Sequence, residues 1–237
     1  ADYQDSEIAR RLTSAALAVA AFAGVTATVF PHTDITAAHF FFDANAAFIG
    51  KNNEAVEWAR NLLITLFVFA CVLTLAGIVI TRDKNREWLG VPFMKWVFLL
   101  ACLAIGPGVV SNLTFKNNWG RARPSQIVDF GGTKLFTPAL QPARECERNC
   151  SFVSGEASSM FMLFFAGAFL YRRRAGQLIA AGVVAGATAG LIRMAHGGHF
   201  LSDVIFAGVL MALTAATLIY ALSALASSSR GVFAVHN

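Results

Sequence analysis

Six long apolar runs alternate with short polar segments along the chain. They extend from about Leu12 to Phe30, Leu62 to Ile80, Val91 to about Phe115 (with Lys95 near its start), Phe152 to Tyr171, about Gln177 to Ile192, and about Val204 to Leu225. A bilayer core needs roughly 20 apolar residues per helix, and lipid offers no partner to unpaired backbone groups, so these runs are expected to be helices. The pattern predicts an all-α polytopic membrane protein, a single domain over residues 1–237 with six transmembrane helices.

Basic residues cluster between the runs. Arg10 and Arg11 precede the first, Arg82, Lys84 and Arg86 follow the second, Arg172, Arg173 and Arg174 follow the fourth, and Arg230 follows the sixth. Six crossings put all four clusters on one side, which the positive-inside tendency makes cytoplasmic. Both termini are then cytoplasmic, and segments 31–61, 115–151 and 193–203 face outward. Arg10-Arg11 before an alanine-rich run is also how a secretory signal begins. The run continues to Pro31, past the roughly 7–15 apolar residues of such signals, and a retained helix is expected. In the first outward loop, Lys51 to Trp58 reads as an amphipathic segment on the membrane surface. His32, Asp34, His39 and Asp43 read there as solvated polar groups, with metal ligation as the rival.

Composition narrows the class. Hydrophobic residues make up 56% of the chain and charged residues 14%, against roughly 25% charged in soluble domains. Disorder and an ordinary soluble globule are both excluded. The net charge of +5 sits in short clusters rather than on one basic face, so nucleic acid is not an expected partner. Cys71 and Cys102 fall in apolar runs and read as packing residues. Cys146 and Cys150 lie in an outward loop; if that stretch is helical, their spacing permits a disulfide, with metal binding as the alternative. Gly182, Gly186 and Gly190 repeat at four-residue intervals, which predicts close helix packing within the bundle.

Three polar islands interrupt the apolar pattern, all on the outward side. Lys116, Arg121 and Arg123 follow the third run. Ser154, Gly155 and Glu156 begin the fourth. Arg193, His196, His199 and Asp203 lie between the fifth and sixth. Lysine and arginine neutralise phosphate oxygens, and a helix start at Ser154-Gly155 offers backbone N–H groups to an anion. Asp203 is one helical turn beyond His199, placed to accept from imidazole Nδ1 and leave Nε2 as a nucleophile.

These residues match a known pattern. Lys116-Asn-Asn-Trp-Gly-Arg-Ala-Arg123-Pro124 resembles the first motif of the type 2 phosphatidic acid phosphatase (PAP2) superfamily, a lysine, six residues, then Arg-Pro. Arg193-Met-Ala-His-Gly-Gly-His199-Phe-Leu-Ser-Asp203 resembles the third, and Val153-Ser154-Gly155-Glu156 the second, normally Pro-Ser-Gly-His. The resemblance implies a six-helix PAP2-type bundle and a lipid phosphatase without metal or other cofactor. In it Lys116, Arg123, Ser154, Gly155 and Arg193 hold the phosphate, His199 forms a phosphohistidine, and Asp203 orients His199. Two departures stand out. Ile192 replaces a serine, and Glu156 replaces the histidine that protonates the leaving group in the family. Glu156 with a raised pKa, or His196, then becomes the proton donor, or Glu156 recognises an amine or hydroxyl of the substrate. The Ser-Gly-Glu form and the preceding Cys146-to-Phe152 stretch are similar to the lipid A 4′-phosphatase branch. That similarity implies action on a phosphate of lipid A at the periplasmic face of a bacterial inner membrane, with no obligatory protein partner.

Alternatives within the class are phosphatidylglycerophosphate, phosphatidate or undecaprenyl pyrophosphate as substrate. Outside it stands a non-catalytic protein that binds anionic lipid. A transporter is disfavoured, because its polar groups lie near the midplane and not at one interface. Arg121 is expected to contact a second phosphate or to pair with Asp129 or Glu145, and Trp119 to anchor at the interface.

Overall fold

The computed structural model describes residues 3–44, 47–83 and 86–234, with side chains as far as 224. Of the basic clusters, Lys84 and the side chain of Arg230 lie outside the described residues. Among the described residues the chain builds eight α-helices: α1 (Tyr3–Val29), α2 (Thr33–His39), α3 (Glu54–Ile80), α4 (Phe93–Leu103), the short α5 (Lys116–Asn118), α6 (Gly155–Leu170), α7 (Ala175–Ala195) and α8 (Leu201–Ala234). Two small antiparallel hairpins pair β1 (Phe42–Asp43) with β2 (Ala47–Phe48), and β3 (Glu87–Trp88) with β4 (Val91–Pro92).

Among the described residues, five helical stretches are long and apolar enough to cross a membrane: Tyr3–Val29, Glu54–Ile80, Phe93–Asn118, Arg172–Ala195 and Leu201–Ala224. The fourth apolar run, expected to span from Phe152 to Tyr171, forms only the 16-residue helix Gly155–Leu170. At 1.5 Å per residue that is about 24 Å, short of a ~30 Å hydrocarbon core. Its first residues are diverted to the site: Ser154 is extended, and its N–H donates to the Asp203 carbonyl. The segment expected to lie on the surface from Lys51 to Trp58 instead enters α3, whose first turn is capped by Asn53 Oδ1 accepting from the N–H of Ala55 and Val56.

α6 is the axis of the bundle, packed against α7 and α8, while α1 lies along α8 and α3 along α4. The glycines of α7 make this contact possible. A Cβ on Gly186 would stand 2.5 Å from the Phe161 ring, and one on Gly190 would stand 2.2 Å from Val204. Between Leu103 and Lys116 the helix widens to π-type turns over Ala104–Phe115. Pro107 lies inside this segment and has no N–H to donate, which favours such widening.

The two ends of the bundle differ. At one end Asp5 pairs with Arg172, Lys95 donates to the Phe169 and Leu170 carbonyls, and Tyr220 donates to Ser6. At the other, α2, β1, β2 and the segment 119–154 pack a second small apolar core of Ala38, Phe48, Ala122, Ile127, Phe130 and Phe200. All three polar islands meet under this cap.

Candidate active site

His199 sits between α7 and α8 and is only 2% exposed. The turn that brings it there needs Gly197, at φ +65, with the Phe48 ring packed against its Cα. His199 Nδ1 is 2.6 Å from the Ser151 carbonyl oxygen. A carbonyl only accepts, so Nδ1 carries the proton and Nε2 keeps its lone pair. Asp203 Oδ2 is 3.7 Å from Nδ1, an ion-pair distance and not a hydrogen bond. The expected Asp203–Nδ1 bond is thus replaced by one to the backbone, with Asp203 supplying charge nearby. Burial pushes the His199 imidazole down to about 4; Asp203 opposes the shift, and Lys116 and Arg193 add to it. The ring is neutral at neutral pH.

Asp203 is itself locked. Its carboxylate accepts from Ser151 Oγ, from the Phe200 N–H at 2.8 Å and from Arg121 Nη1 at 2.6 Å. Arg121 is fully buried. It donates also to Ser202 Oγ, to Asp34 at 2.8 Å and to the Thr137 carbonyl, with its guanidinium 4.3 Å from the centre of the Phe200 ring. The expected pairing of Arg121 with Asp129 or Glu145 is corrected: its carboxylate partners are Asp34 and Asp203, and Glu145 accepts from the Leu135 N–H. Asp34, from the first outward loop, is not a solvated polar group. It accepts from the Ser202 N–H and hydroxyl at the start of α8, as well as from Arg121. His32 and His39 of the same loop face Phe136 and Phe130.

Lys116 and Arg193 both act electrostatically on His199. Lys116 reaches Gly155, where a Cβ would be 3.0 Å from both Lys116 Nζ and Asn112 Oδ1. A larger residue at the start of α6 would push Lys116 Nζ or Asn112 Oδ1 aside by a few tenths of an ångström. Arg123 donates to the Asn149 carbonyl at 2.7 Å, and burial, reinforced by Arg193, lowers the pKa of its guanidinium. Among the described residues four buried side-chain polar atoms lack a hydrogen-bond partner, and two of them, Ser154 Oγ and Arg193 Nε, belong to this site.

Glu156 does not occupy an apolar pocket. Arg60 Nε and Nη2 donate to it at 3.0 to 3.2 Å, and Arg193 Nε is 3.6 Å away. Arg60 also donates to Glu57 at 2.9 Å, and the other Glu57 oxygen is 3.0 Å from His196 Nε2. His196 Nδ1 lies 2.7 Å from the Ile192 carbonyl. Both nitrogens of the His196 ring thus face oxygen acceptors. Glu57, Arg60 and Ser151 carry no sequence motif that points to this site, and Asp34 serves it as a buried partner of Arg121 rather than as a metal ligand. Beside Lys116 and Glu156 a cavity of about 240 Å³ opens along Leu63, Ile64, Phe67 and Met160.

Cys146 and Cys150 form a disulfide with Cα atoms 5.6 Å apart, in a bend and not in the helix the spacing suggested. The bonded segment leads directly into the Asn149 carbonyl that holds Arg123 and the Ser151 groups that hold His199 and Asp203. Trp119, expected at an interface, is half-buried, stacks on Phe152 and donates to the Ala139 carbonyl.

Comparison with known proteins agrees with the geometry. The PAP2 superfamily model matches residues 95–227. A lipid A 4′-phosphatase of Francisella tularensis subsp. novicida (strain U112) is 37% identical over 212 residues, covering 87% of this chain and 93% of its own. A lipid A 4′-phosphatase of Rhizobium leguminosarum is 33% identical over 193 residues, covering 74% of this chain and 81% of its own. One of Rhizobium etli is 31% identical over 188 residues, covering 74% and 73%. No solved structure matches. The family match takes in all three motif islands and most of the bundle, and the chain belongs to the PAP2 superfamily.

Proposed function

We propose that the protein is a lipid phosphatase that removes the 4′-phosphate of lipid A through a phosphohistidine on His199. The observation that carries this reading is the protonation of His199: its Nδ1–H is committed to the Ser151 carbonyl, so the Nε2 lone pair is the reactive one. The names of the relatives supply the lipid. The buried, unpartnered Ser154 Oγ and Arg193 Nε, with Lys116 and Arg123, supply donors and positive charge for a phosphate.

The chemistry follows from these placements. Nε2 attacks phosphorus, the bond from phosphorus to the sugar oxygen breaks, and its electron pair leaves with that oxygen. Lys116, Arg123 and Arg193 stabilise charge on the equatorial oxygens. Asp203, fixed by Arg121 and Ser151, offsets the positive charge that develops on the His199 ring. The leaving oxygen takes a proton from His196, whereas Glu156 accepts from Arg60. Water then attacks the phosphohistidine, returning its proton to His196 and releasing phosphate.

The site faces the periplasm in this reading, because Arg10, Arg11 and Arg172–Arg174 lie at the opposite end of the bundle. Both termini are cytoplasmic if Gly155–Leu170 completes a sixth crossing. Its two ends support that: Glu156 meets Arg60 and Arg193 at one end of the bundle, and the Leu170 carbonyl meets Lys95 at the other. The membrane is then a bacterial inner membrane.

The test is phosphate release from a defined lipid A, with mass analysis of which sugar loses it, beside phosphatidate, phosphatidylglycerophosphate and undecaprenyl pyrophosphate. Loss of the 4′-phosphate by the wild type, abolished in a folded His199→Ala variant, is expected. Turnover retained without His199, or preference for another of these lipids, contradicts the proposal.

A further inference from the structure

Glu156 stands where the family motif carries histidine, and its surroundings are cationic. Arg60 grips both oxygens of the carboxylate. Arg193 Nε approaches the same Oε1 only to 3.6 Å, makes no hydrogen bond, and is buried. One carboxylate is thus shared unequally by two arginines: Arg60 holds it, and Arg193 lies in its field with a donor still available. Arg60 is fixed in turn by Glu57, and Glu57 by His196. On another side the turn closes on Arg193, since a Cβ on Gly198 would be 2.6 Å from Nη2.

We propose that Glu156 and Arg60 are positioning residues for Arg193, and that Glu156 is not the leaving-group acid. This rests on the phosphate-cradle reading above and assigns a role within it. The Arg60-bound carboxylate cancels repulsion between the two guanidiniums while leaving the Arg193 Nε–H for the phosphate. Removing Glu156 alone sets Arg60 and Arg193 against each other. Removing Arg60 alone frees Glu156 to close the remaining few tenths of an ångström onto Arg193 Nε and take the donor the phosphate needs. Removing both leaves Arg193 neither repelled nor captured. A general acid behaves differently, because loss of its proton is not repaired by deleting a neighbouring arginine.

The experiment is a double-mutant cycle of wild type, Arg60→Gln, Glu156→Gln and the double variant, with His199→Ala as the inactive control. It reads kcat and KM for phosphate release from lipid A, inhibition by inorganic phosphate, the pH profile of kcat, and thermal unfolding of each protein. Each single variant should lose about tenfold or more in kcat/KM, chiefly through KM and phosphate affinity. The double variant should recover about fivefold or more over Glu156→Gln, as coupled neighbours allow. The alkaline limb of kcat should survive in Glu156→Gln. Additive losses overturn the proposal, as does a Glu156→Gln variant with intact phosphate affinity, low kcat and no alkaline limb. If Arg60→Gln does not fold, Arg60→Lys, which keeps the charge and loses the fork, replaces it in the cycle. If the wild type releases no phosphate, the functional reading fails separately, and the same cycle in inorganic phosphate affinity judges the pair.

Discussion

Replacing Arg121 by methionine removes the one cation between Asp34 and Asp203 while roughly conserving apolar volume. Both carboxylates are almost wholly buried, and Arg121 is 0% exposed, so solvent does not take over its role. Breaking a buried ion pair by deleting one partner costs about 3–5 kcal/mol, and here two carboxylates lose the same partner, which places the loss at the upper end, about 5 kcal/mol. The stacking of the guanidinium on Phe200 is lost as well. For a chain of this size 1 kcal/mol shifts Tm by about 2–4 °C, so Tm should fall by about 10 °C or more. Thermal unfolding of the detergent-solubilised protein, followed by loss of tertiary signal, measures this. Asp34→Asn keeps an oxygen for the Ser202 donors and should cost far less. An Arg121→Met protein that unfolds within 2 °C of the wild type but has a raised KM would refute the argument and return Arg121 to the role of a phosphate ligand.

Other outcomes follow from the same geometry. Gly155→Ala places a methyl 3.0 Å from Lys116 Nζ and should lower kcat/KM by about 10–100-fold with little change in Tm, read by steady-state kinetics. His199 has a folded pKa of about 4, below the ordinary 6.5, so the unfolded chain binds more protons between these values. The contribution is complete above pH 6.5 and declines by about 3 kcal/mol as pH falls to 4, a decline that His199→Asn should lack when unfolding is compared across that window. His196→Gln removes the proposed proton donor and should lower kcat about 100-fold and abolish its alkaline limb; an unchanged pH profile contradicts the assignment.

Much of the site was legible because PAP2 chemistry is written in short spacings. Lys116 to Arg123 and Arg193 to Asp203 each lie within one segment, and the helix start at Ser154-Gly155 is visible as the place where an apolar run begins. The supporting residues were not legible, because each acts across the fold. Arg60 meets Glu156 across 96 positions, and Asp34 meets Arg121 across 87. A signal existed for Arg60: it pairs with Glu57 at helical spacing at the head of an otherwise apolar helix, and two charges there need a reason. Asp34 offered none, since a buried aspartate and a solvated one look alike in a polar loop. The ion-pair partners of Arg121 are hidden because Asp129 and Glu145 are nearer in sequence than Asp34 and Asp203. The fourth apolar run overestimated its helix because composition does not distinguish lipid-facing residues from Phe152 and Val153, which are buried beside the site.

The central claim is that His199 takes the phosphoryl group. Its most direct test is to mix the protein with lipid A carrying a radiolabelled 4′-phosphate, quench within the first turnover, and map the label. The account predicts an acid-labile, alkali-stable label on the peptide containing His199, absent in His199→Ala. Turnover with no labelled protein at any time, or label on another residue, would contradict it.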